Sequence, residues 1–564
     1  MLGEENSNVI LLKLKDTANI NSVVFIDIFN DIFDFSLICT RDAVKQLTPA
    51  KRDILRGLYE NYNKEHRYHG QVIKLMNDKN FELAKELIPS TYVDQGRDAI
   101  KRREKQVTEL LSHKKIPEIG WDDQSIEFFL NDLSLMDSNN FLHNSGVGER
   151  EGRVESTLVA QRHYHLAHGI GRAGDVAAIQ PKAAGSSIIC ELTRKMSIDF
   201  IHTCGISEVK DGLVLPLATG MSISLCLLSL RQQRPEAQYV VWFRVDQKTC
   251  LKSILTCGLK PIIIQPRIQG DELATDIQML RSVLETTSAS SILCIIPTTS
   301  VFAPRLPDDI VGVSKLAKEF EIPVLVNNAY GLQSSVVCKA INRAIRVGRV
   351  DLLVSSTDKN MLVPVGGALV YSPSHNSIDI VRKNYPGRAS MSPILDVFIT
   401  LLSMGKRKLL EYLKRREECY DYLRDRLAAV AEQYGQRILD TPNNPISLAV
   451  TLDKPIEMEY ENAEHKDEEA RKHEFQYTDA DITRFGAMLY TRGVSGARCV
   501  GHHNKKSIGE YTFENYGGHC DNYPHAYFTA AAAIGISKED VDTFIERIQK
   551  NWKQYLKDLK KKSS

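Results

Sequence analysis

The sequence predicts an α/β protein with a mostly parallel, seven-stranded sheet covered by helices on both faces, followed by a smaller C-terminal α+β domain. Between about 212 and 371, seven apolar runs alternate with helical stretches, which is typical of parallel strands joined by helices. The composition, 43% hydrophobic and 25% charged, is ordinary for a globular protein. The runs are L-V-L-P-L, Y-V-V-W-F, P-I-I-I, I-L-C-I-I, P-V-L-V, D-L-L-V and G-A-L-V-Y.

Charge and cysteine usage narrow the class of protein. The net charge of +1 excludes a generally basic surface, so DNA binding is not expected and any RNA contact needs a local patch. The 11 cysteines show neither C-x-x-C pairs nor zinc-ligand spacing, which predicts a reducing compartment and no metal site. The opening M-L-G-E-E-N lacks the positive charge of a secretory signal, and Pro216 interrupts the most apolar window. We therefore expect a cytoplasmic protein without membrane spans.

Changes of pattern divide the chain into four segments. Apolar patches without a sustained period mark an N-terminal extension of doubtful order, and a cleaner pattern begins at Met76. Helices are predicted from about 91 to 113 and from Asp123 to Met136. The segments are the extension (1–75), a helical segment (76–140), a large sheet domain (141–395) and a smaller domain with a charged insert near 457–475 and a lysine-rich tail (396–564).

Polar or small residues follow four of the apolar runs, where doubly wound sheets bind their ligands. A-T-G offers a phosphate-binding turn at a helix start, and D-Q-K offers a residue that could lie over a ring. N-N-A-Y-G places an amide near a ring nitrogen, and S-S-T-D-K-N supplies an amine able to form a Schiff base. The four together predict a pyridoxal-phosphate site; an ordinary turn and a solvated surface lysine are the alternatives for its parts. The residues concerned are Ala218, Thr219, Gly220, Gln247, Asn327 and Lys359.

A second group of residues is typical of an anion pocket. Arg150, Arg172, Gln180 and Arg388 lie in glycine-rich loops, and guanidinium groups bind phosphate bidentately. Structural ion pairs are the alternative for each arginine. The segment 169–174 formally matches G-x-G-x-x-G, but R-H-Y-H-L-A-H precedes it where a strand is required, so a dinucleotide site is disfavoured.

Longer strings carry a more specific signal, and from about Met76 to about 550 they resemble the family of O-phosphoseryl-tRNA(Sec):selenium transferases. These are fold-type I pyridoxal-phosphate enzymes, the selenocysteinyl-tRNA synthases of archaea and eukaryotes. The resemblance implies a homotetramer that converts phosphoseryl-tRNA(Sec) to selenocysteinyl-tRNA(Sec), with selenophosphate as selenium donor. The strings are M-D-S-N-N-F-L, G-V-G-E-R-E-G-R-V, H-G-I-G-R, Q-P-K-A-A-G-S-S, V-N-N-A-Y-G, D-K-N-M-L-V-P-V-G-G, Y-P-G-R-A-S and V-S-G-A-R.

The resemblance also implies roles for individual residues. Lys359 matches the Schiff-base lysine, and the segment 76–140 matches a region of tRNA contact or oligomerisation. The implied substrate-phosphate pocket comprises Arg150, Arg172, Gln180 and Arg388. The implied cofactor contacts are Ala218, Thr219 and Gly220 at the phosphate, Gln247 at the ring face and Asn327 at the pyridine nitrogen. The implied tRNA contacts are Arg498, Lys248, Lys101, Arg102 and Arg103.

Departures from the pattern concern the electron sink and the phosphate loop. Asn327 replaces the aspartate usual in fold-type I enzymes, and an amide holds a pyridine nitrogen protonated less well than a carboxylate does. A weaker electron sink suits a reaction with a good leaving group, such as phosphate. Ala173 takes a position where the family often has serine, which removes one hydroxyl donor.

Two other functions are compatible with parts of the sequence. One is a related pyridoxal-phosphate lyase or cysteine desulfurase acting on a free amino acid, although no cysteine stands in a context suited to a mobile nucleophile. The other is an inactive tRNA-binding scaffold, which would be expected to lack Lys359 or the turns around it.

Overall fold

The structure, a computed structural model, describes residues 76–453, 456–459, 472–475 and 478–563. The N-terminal extension (1–75) and the interior of the charged insert lie outside the described residues. In the part of the chain that is described, no helix is both long enough and apolar enough to cross a bilayer.

Seven strands form the central sheet, in the order β3-β2-β4-β5-β6-β7-β1. Pairing is parallel from β3 to β6, with β4 and β5 joined by the bridges Ile295 to Val324 and Thr298 to Asn327. Only β7 runs antiparallel to its two neighbours. The predicted mostly parallel, seven-stranded sheet is therefore confirmed. The strands are β1 (Asp211–Leu215), β2 (Tyr239–Phe243), β3 (Lys260–Ile264), β4 (Ile292–Ile296), β5 (Leu325–Asn327), β6 (Leu352–Ser356) and β7 (Ala368–Ser372).

Burial along these strands explains their composition. Every residue of β1, β4, β5, β6 and β7 is buried, as expected where helices cover both faces of a sheet. Only the edge strand β3 exposes a residue, Lys260. The helices around the sheet are α5 (Ala184–Cys204), α6 (Thr219–Gln233), α7 (Lys248–Thr256), α8 (Ile277–Thr286), α9 (Ile310–Glu319), α10 (Ser335–Val347), α11 (Thr357–Met361) and α12 (His375–Asn384).

Four helices precede α5 in the described part of the chain, and two of them test the sequence-based boundaries. The helix predicted from about 91 to 113 is Ser90–His113, and the helix predicted from Asp123 to Met136 is Asp123–Ser134. The second begins where Asp122 accepts the amide of Ser125 at 2.9 Å, an N-cap that satisfies a free helix donor. The four are α1 (Asp78–Ala84), α2 (Ser90–His113), α3 (Asp123–Ser134) and α4 (Thr157–Arg162).

The C-terminal region combines a three-stranded antiparallel sheet with long helices. Phe485, Phe528, Trp552 and Tyr555 form its aromatic core, separate from the core around the seven-stranded sheet. The described residues fall within one compact unit, so the domain boundary at 395/396 stays a prediction. The elements are α13 (Ser392–Gln433), β8 (Ser447–Thr451), α14 (Asp479–Thr491), β9 (Arg498–Val500), β10 (Tyr527–Ala531) and α15 (Lys538–Ser563).

Three antiparallel hairpins complete the described strands. Two belong to connections: Arg267–Gln269 with Glu272–Ala274, and Lys506–Ile508 with Tyr511–Phe513. The third pairs Ile456–Glu459 with Lys472–Phe475 at the two ends of the charged insert. The two ends of the insert that the structure describes are therefore paired strands.

Helix α13 is broken at Gly405, which has φ 65° and ψ 170°. The break frees two main-chain groups that an intact helix would pair internally. The carbonyl of Leu402 accepts the amide of Trp121 at 2.8 Å, and the amide of Lys406 donates to the carbonyl of Pro117 at 2.8 Å. The segment before α3 thus satisfies the broken helix, which joins the N-terminal helices to the rest of the fold.

Gly405→Ala should destabilise the protein by about 2 kcal/mol or more. Alanine is strained at this φ, and the neighbouring main chain leaves no room for its methyl group. A Cβ at Gly405 would lie 2.4 Å from the amide nitrogen of Gly120. Calorimetric unfolding would measure the change. Gly96→Ala is the matched control: Gly96 lies inside α2 with nothing within 4 Å of a Cβ, so alanine there should stabilise by about 0.5 kcal/mol. Equal midpoints for the two variants would contradict the strain assigned to Gly405.

Candidate active site

The carboxyl ends of β1, β2, β5 and β6 lie on one edge of the sheet and bring the predicted cofactor residues together. Helix α6 begins at Thr219 and α7 begins at Lys248, and the two helix starts are in contact. A Cβ at Gly220 would lie 2.9 Å from the side-chain methyl of Thr249, and Ser253 Oγ donates to the Gly220 carbonyl at 2.9 Å. Only glycine fits this contact, so the turn Ala218-Thr219-Gly220 lies against the helix that follows Gln247.

Lys359 lies in the single-turn helix α11, directly after β6, and is exposed in the isolated chain. Its turn is fixed by neighbouring side chains. Asn360 Nδ2 donates to the carbonyl of Ala329 at 2.9 Å, Thr357 Oγ1 donates to that of Gly367 at 2.9 Å, and Gln333 Nε2 donates to the carbonyl of Lys359 itself at 3.3 Å. The main chain is held while the amine stays accessible, which is the arrangement that a covalent cofactor site needs.

The paired asparagines after β5 have different environments. Asn328 uses both ends of its amide: its Oδ1 accepts from Thr299 at 2.6 Å and its Nδ2 donates to Tyr371 at 2.8 Å. Asn327 donates to Cys250 Sγ at 3.0 Å, but its buried Oδ1 has no partner. A buried acceptor left unpaired costs free energy unless a ligand satisfies it. Asn327 therefore suits a ring nitrogen, as predicted, and Asn328 is structural.

The predicted anion pocket is built from two loops that pair with each other. Ile170 and Ala389 form an antiparallel bridge, and an Nη of Arg388 donates to the carbonyl of His168. Arg172 closes a tight turn by pairing main-chain groups with Asp175 and is exposed. Among the described elements no strand leads into this turn; the residues before it include the helix α4.

The cations of this pocket are not neutralised by acids. Within the described residues neither Arg172 nor Arg388 pairs with a carboxylate, and Arg150 has only an exposed contact of 3.8 Å with Glu149. The buried Nε of Arg388 has no acceptor. Burial, and secondly the positive charge of Arg150, lower the pKa of the Arg388 guanidinium. Unpaired guanidinium groups that repel each other favour a bound anion, so structural ion pairs do not explain these residues.

Gln180 lies across the base of the same loop. Its Nε2 donates to the carbonyl of Gly171 at 3.4 Å, and its Oε1 accepts the amide of Lys182 at 3.3 Å. The amide group thus connects the Arg172 turn to the chain that leads into α5.

Sequence reasoning missed an ion pair that holds the loop of Arg150. Glu151, whose side chain is 9% exposed, accepts from Lys182 Nζ at 2.6 Å and from the amide of Gly148 at 3.1 Å. A Cβ at Gly146 or Gly148 would lie 2.7 or 2.3 Å from the carboxylate. Lys182 lowers the pKa of Glu151. The two glycines of the loop leave room for this carboxylate. They were the only feature of the sequence that could have indicated the ion pair.

The predicted tRNA residues differ in how much of their charge is free. Arg498 is exposed on the edge strand β9, with its guanidinium carbon 5.3 Å from the centre of the Phe302 ring. Lys248, Lys101 and Arg102 are exposed.

Arg103, by contrast, is engaged within the chain. It donates to Gln124 at 2.5 Å and lies 4.9 Å from the ring of Phe128 on α3. This side chain joins α2 to α3, and less of it is free for RNA than of its two neighbours.

Comparison with known proteins gives one consistent result. A family model described as O-phosphoseryl-tRNA(Sec) selenium transferase matches residues 136–553. The chain is 45% identical over 481 residues to the enzyme of that name from Dictyostelium discoideum. The alignment covers 84% of this chain and 99% of the relative. It is 38% identical over 464 residues to the Caenorhabditis elegans enzyme of the same name, covering 82% and 92%.

A solved structure agrees with the sequence matches. The crystal structure of an archaeal O-phosphoseryl-tRNA(Sec) selenium transferase superposes with a TM-score of 0.72 at 29% identity, covering 82% of this chain and 98% of that one. The fold, the long family match and the full-length relatives agree. The chain belongs to the O-phosphoseryl-tRNA(Sec) selenium transferase family.

Proposed function

We propose that this protein converts O-phosphoseryl-tRNA(Sec) to selenocysteinyl-tRNA(Sec), with pyridoxal phosphate as cofactor and selenophosphate as selenium donor. The observation that supports it most is the position of Lys359 on the same sheet edge as Asn327, in a chain that also builds a pocket of unpaired arginines. Family membership supports the same reaction. A scaffold without activity would have no need for an accessible lysine and an unneutralised anion pocket together.

The cofactor would be held by groups from four strand ends. The start of α6 at Ala218, Thr219 and Gly220 offers main-chain amides and a hydroxyl to a phosphate. Gln247 would lie at the ring face, and Asn327 Oδ1 would accept a hydrogen bond from the ring nitrogen. When bound, pyridoxal phosphate withdraws electrons from the substrate α-carbon, and a neutral amide supports this less strongly than a carboxylate would.

Arg388, Arg172 and Arg150 bind the phosphate of phosphoserine, and Gln180 orients the loop that carries Arg172. Because, among the residues that the structure describes, these cations have no carboxylate partner other than the exposed Glu149, they are free to stabilise the charge that develops on the departing phosphate. Lys359 Nζ takes the proton from the α-carbon. Loss of the α-proton and of the phosphate leaves a double bond between the α- and β-carbons. The selenium of selenophosphate then adds to the β-carbon, a proton returns to the α-carbon, and hydrolysis of the selenium–phosphorus bond releases phosphate. Ala173 contributes no hydroxyl, so the guanidinium groups and main-chain amides bind the phosphate without one.

The tRNA is recognised by exposed cations outside this pocket. Arg498 extends from β9 near the site, and Lys248 begins the helix after Gln247. Lys101 and Arg102 lie on α2 in the segment 76–140, with Arg103 contributing through its remaining donors. These positions suit a phosphate backbone, because solvated charges can follow it without desolvation of a buried group.

The active assembly is a homotetramer in the cytoplasm. Two exposed apolar side chains adjoin predicted site residues in sequence: Ile179, 75% exposed, beside Gln180, and Met221, 56% exposed, beside Gly220. Val147 in the loop of Arg150 and Val365 after α11 are also exposed, by 96% and 78%. Apolar groups exposed together around a site are typical of a subunit interface. A neighbouring subunit would cover them and exclude water from Lys359.

Lys359→Ala should reduce turnover of phosphoseryl-tRNA by roughly 10³-fold or more while leaving tRNA affinity within about threefold, since the lysine supplies chemistry and little binding. Single-turnover assays and filter binding would measure the two effects. Lys318→Ala, an exposed lysine on α9, is the control and should behave as wild type. Retained activity in the Lys359 variant would refute the assignment.

Arg388→Ala should weaken binding of phosphoseryl-tRNA relative to seryl-tRNA by about 2 kcal/mol, because a charge-assisted bond to the phosphate is lost. Competition binding with the two tRNAs would measure the ratio. Arg343→Ala, exposed on α10, should leave it unchanged. An unchanged ratio in the Arg388 variant would remove this residue from the pocket. Free phosphoserine, assayed in parallel, separates this function from a lyase acting on free amino acids.

Val147→Glu should lower the fraction of four-chain species, because burying a carboxylate at a subunit interface costs roughly several kcal/mol of association free energy. Sedimentation velocity would measure the mass distribution. Val336→Glu is the matched control: this valine is 60% exposed on α10, which carries no predicted site residue. A tetramer that tolerates glutamate at Val147 would place the interface elsewhere.

A further inference from the structure

A loop of the C-terminal region, Glu514–Asp521, contacts the end of β2 next to the predicted cofactor site. The carboxylate of Asp246 accepts the amides of Gly517 at 2.8 Å and His519 at 2.7 Å. In return, His519 Nδ1 accepts the amide of Asp246 at 2.8 Å. The two segments are thus joined by reciprocal hydrogen bonds; the two between Asp246 and His519 are buried, and the one from Gly517 is partly buried.

The same contact includes a fully buried arginine. Arg244 at the end of β2 donates to Asp246 at 2.9 Å, to the carbonyl of Glu514 at 2.7 Å and to the carboxylate of Asp521. Its guanidinium carbon lies 5.0 Å from the centre of the Phe513 ring. A buried guanidinium with this many partners holds both chains in one geometry, since removal of any partner leaves charge uncompensated.

The loop adopts unusual backbone angles to make these contacts. Asn515 has φ 46° and His519 has φ 62°, values that residues other than glycine seldom adopt, and Gly517 has φ 111°. Such conformations persist where surrounding contacts enforce them, and they concentrate at functional sites.

The histidine acts as a neutral acceptor. His519 is 2% exposed, and burial lowers its pKa to about 4 despite the opposing effect of Asp246. The charges of Arg305, Arg498 and Arg244 act in the same direction as burial. Because Nδ1 accepts the Asp246 amide, the ring proton lies on Nε2 at neutral pH.

The held segment determines how Gln247 leaves the sheet. The amide of Gln247 donates to the carbonyl of Val245 at 2.6 Å and closes a tight bend. Helix α7 begins at the next residue, Lys248. Asp246 is the middle residue of that bend, and its amide is the one held by His519. Cys250, which contacts Asn327, follows in the first turn of α7.

We propose that His519 is a positioning residue for the cofactor: by holding the amide of Asp246 it fixes the bend that places Gln247 at the ring face and Cys250 beside Asn327. The inference rests on the proposed function, because Gln247 and Asn327 are cofactor contacts only there. The proposal assigns a role in the cofactor site to a loop of the C-terminal region. Asp246 and His519, whose groups form the hydrogen bond, are 273 residues apart in the chain.

The test compares His519→Asn with His519→Gly. Asparagine places Oδ1 where the histidine has Nδ1, and both asparagine and glycine tolerate the backbone angle of His519. We expect His519→Gly to raise the dissociation constant of pyridoxal phosphate and lower kcat, each by about tenfold, with the KM for tRNA within about twofold. His519→Asn should restore both to within about threefold of wild type. His202→Asn, whose ring bonds the carbonyl of Val209 at 2.7 Å away from the site residues, should change neither.

Cofactor titration, visible circular dichroism of the bound cofactor and thermal unfolding would be recorded for each variant. Recovery of cofactor affinity by asparagine but not glycine supports the proposal. Equal losses in both variants with equally lowered unfolding midpoints would show a purely structural histidine, and wild-type affinity and dichroism in His519→Gly would also overturn it. If His519→Gly does not fold, Asp521→Asn replaces it in the test, because the Asp521 side chain is 42% exposed. Cofactor binding weakened about threefold in this variant supports the proposal, and unchanged binding refutes it. A wild-type protein that binds the cofactor without turning over phosphoseryl-tRNA would refute the proposed function, while the cofactor measurements would still judge His519.

Discussion

The shared direction of β1, β2, β5 and β6 is the constraint on which the rest of the site depends. Parallel pairing aligns β2, β5 and β6, and the two antiparallel pairings of β7 give β1 the same direction, so the carboxyl ends of all four lie on one edge of the sheet. The phosphate turn at Thr219, the amide of Asn327 and the amine of Lys359 meet for this reason. The turns themselves are short and buried, which leaves their main chains little freedom.

A second constraint comes from the C-terminal region, which reaches back to the sheet edge at two points. Gln333 bonds the carbonyl of Lys359 and also accepts the amide of Ile534 at 2.7 Å. On the other side, the loop Glu514–Asp521 is joined to Arg244 and Asp246. The first contact holds the main chain of Lys359 itself, and the second holds Arg244 and Asp246, which precede Gln247. The C-terminal region therefore supports the geometry of the site from two directions.

The anion pocket shows how function and stability oppose each other. An unpaired, partly buried guanidinium such as that of Arg388 destabilises the empty protein, because burial and a like charge both disfavour it. The nearby acid Glu151 is occupied by Lys182 and the amide of Gly148, so it cannot neutralise the pocket. The same carboxylate holds the loop of Arg150 in place. The pairing of Glu151 with Lys182 thus keeps this acid from the arginines to which the proposed function assigns the phosphate.

The sequence by itself predicted the seven strands and two of the N-terminal helices, and it supplied the candidate site residues. The strands were predictable because each contains a contiguous apolar run, and Asn327 and Lys359 became candidates because they lie in the segments that come after such runs. The string resemblance predicted the family, which the comparisons confirmed. Only the tertiary structure decided which of the paired asparagines keeps a free acceptor, how segment 117–121 satisfies the break at Gly405, and which partners hold Glu151 and His519. These features depend on contacts between residues distant in the chain, and a local pattern of residue types contains no information about which distant group will satisfy a buried donor or acceptor.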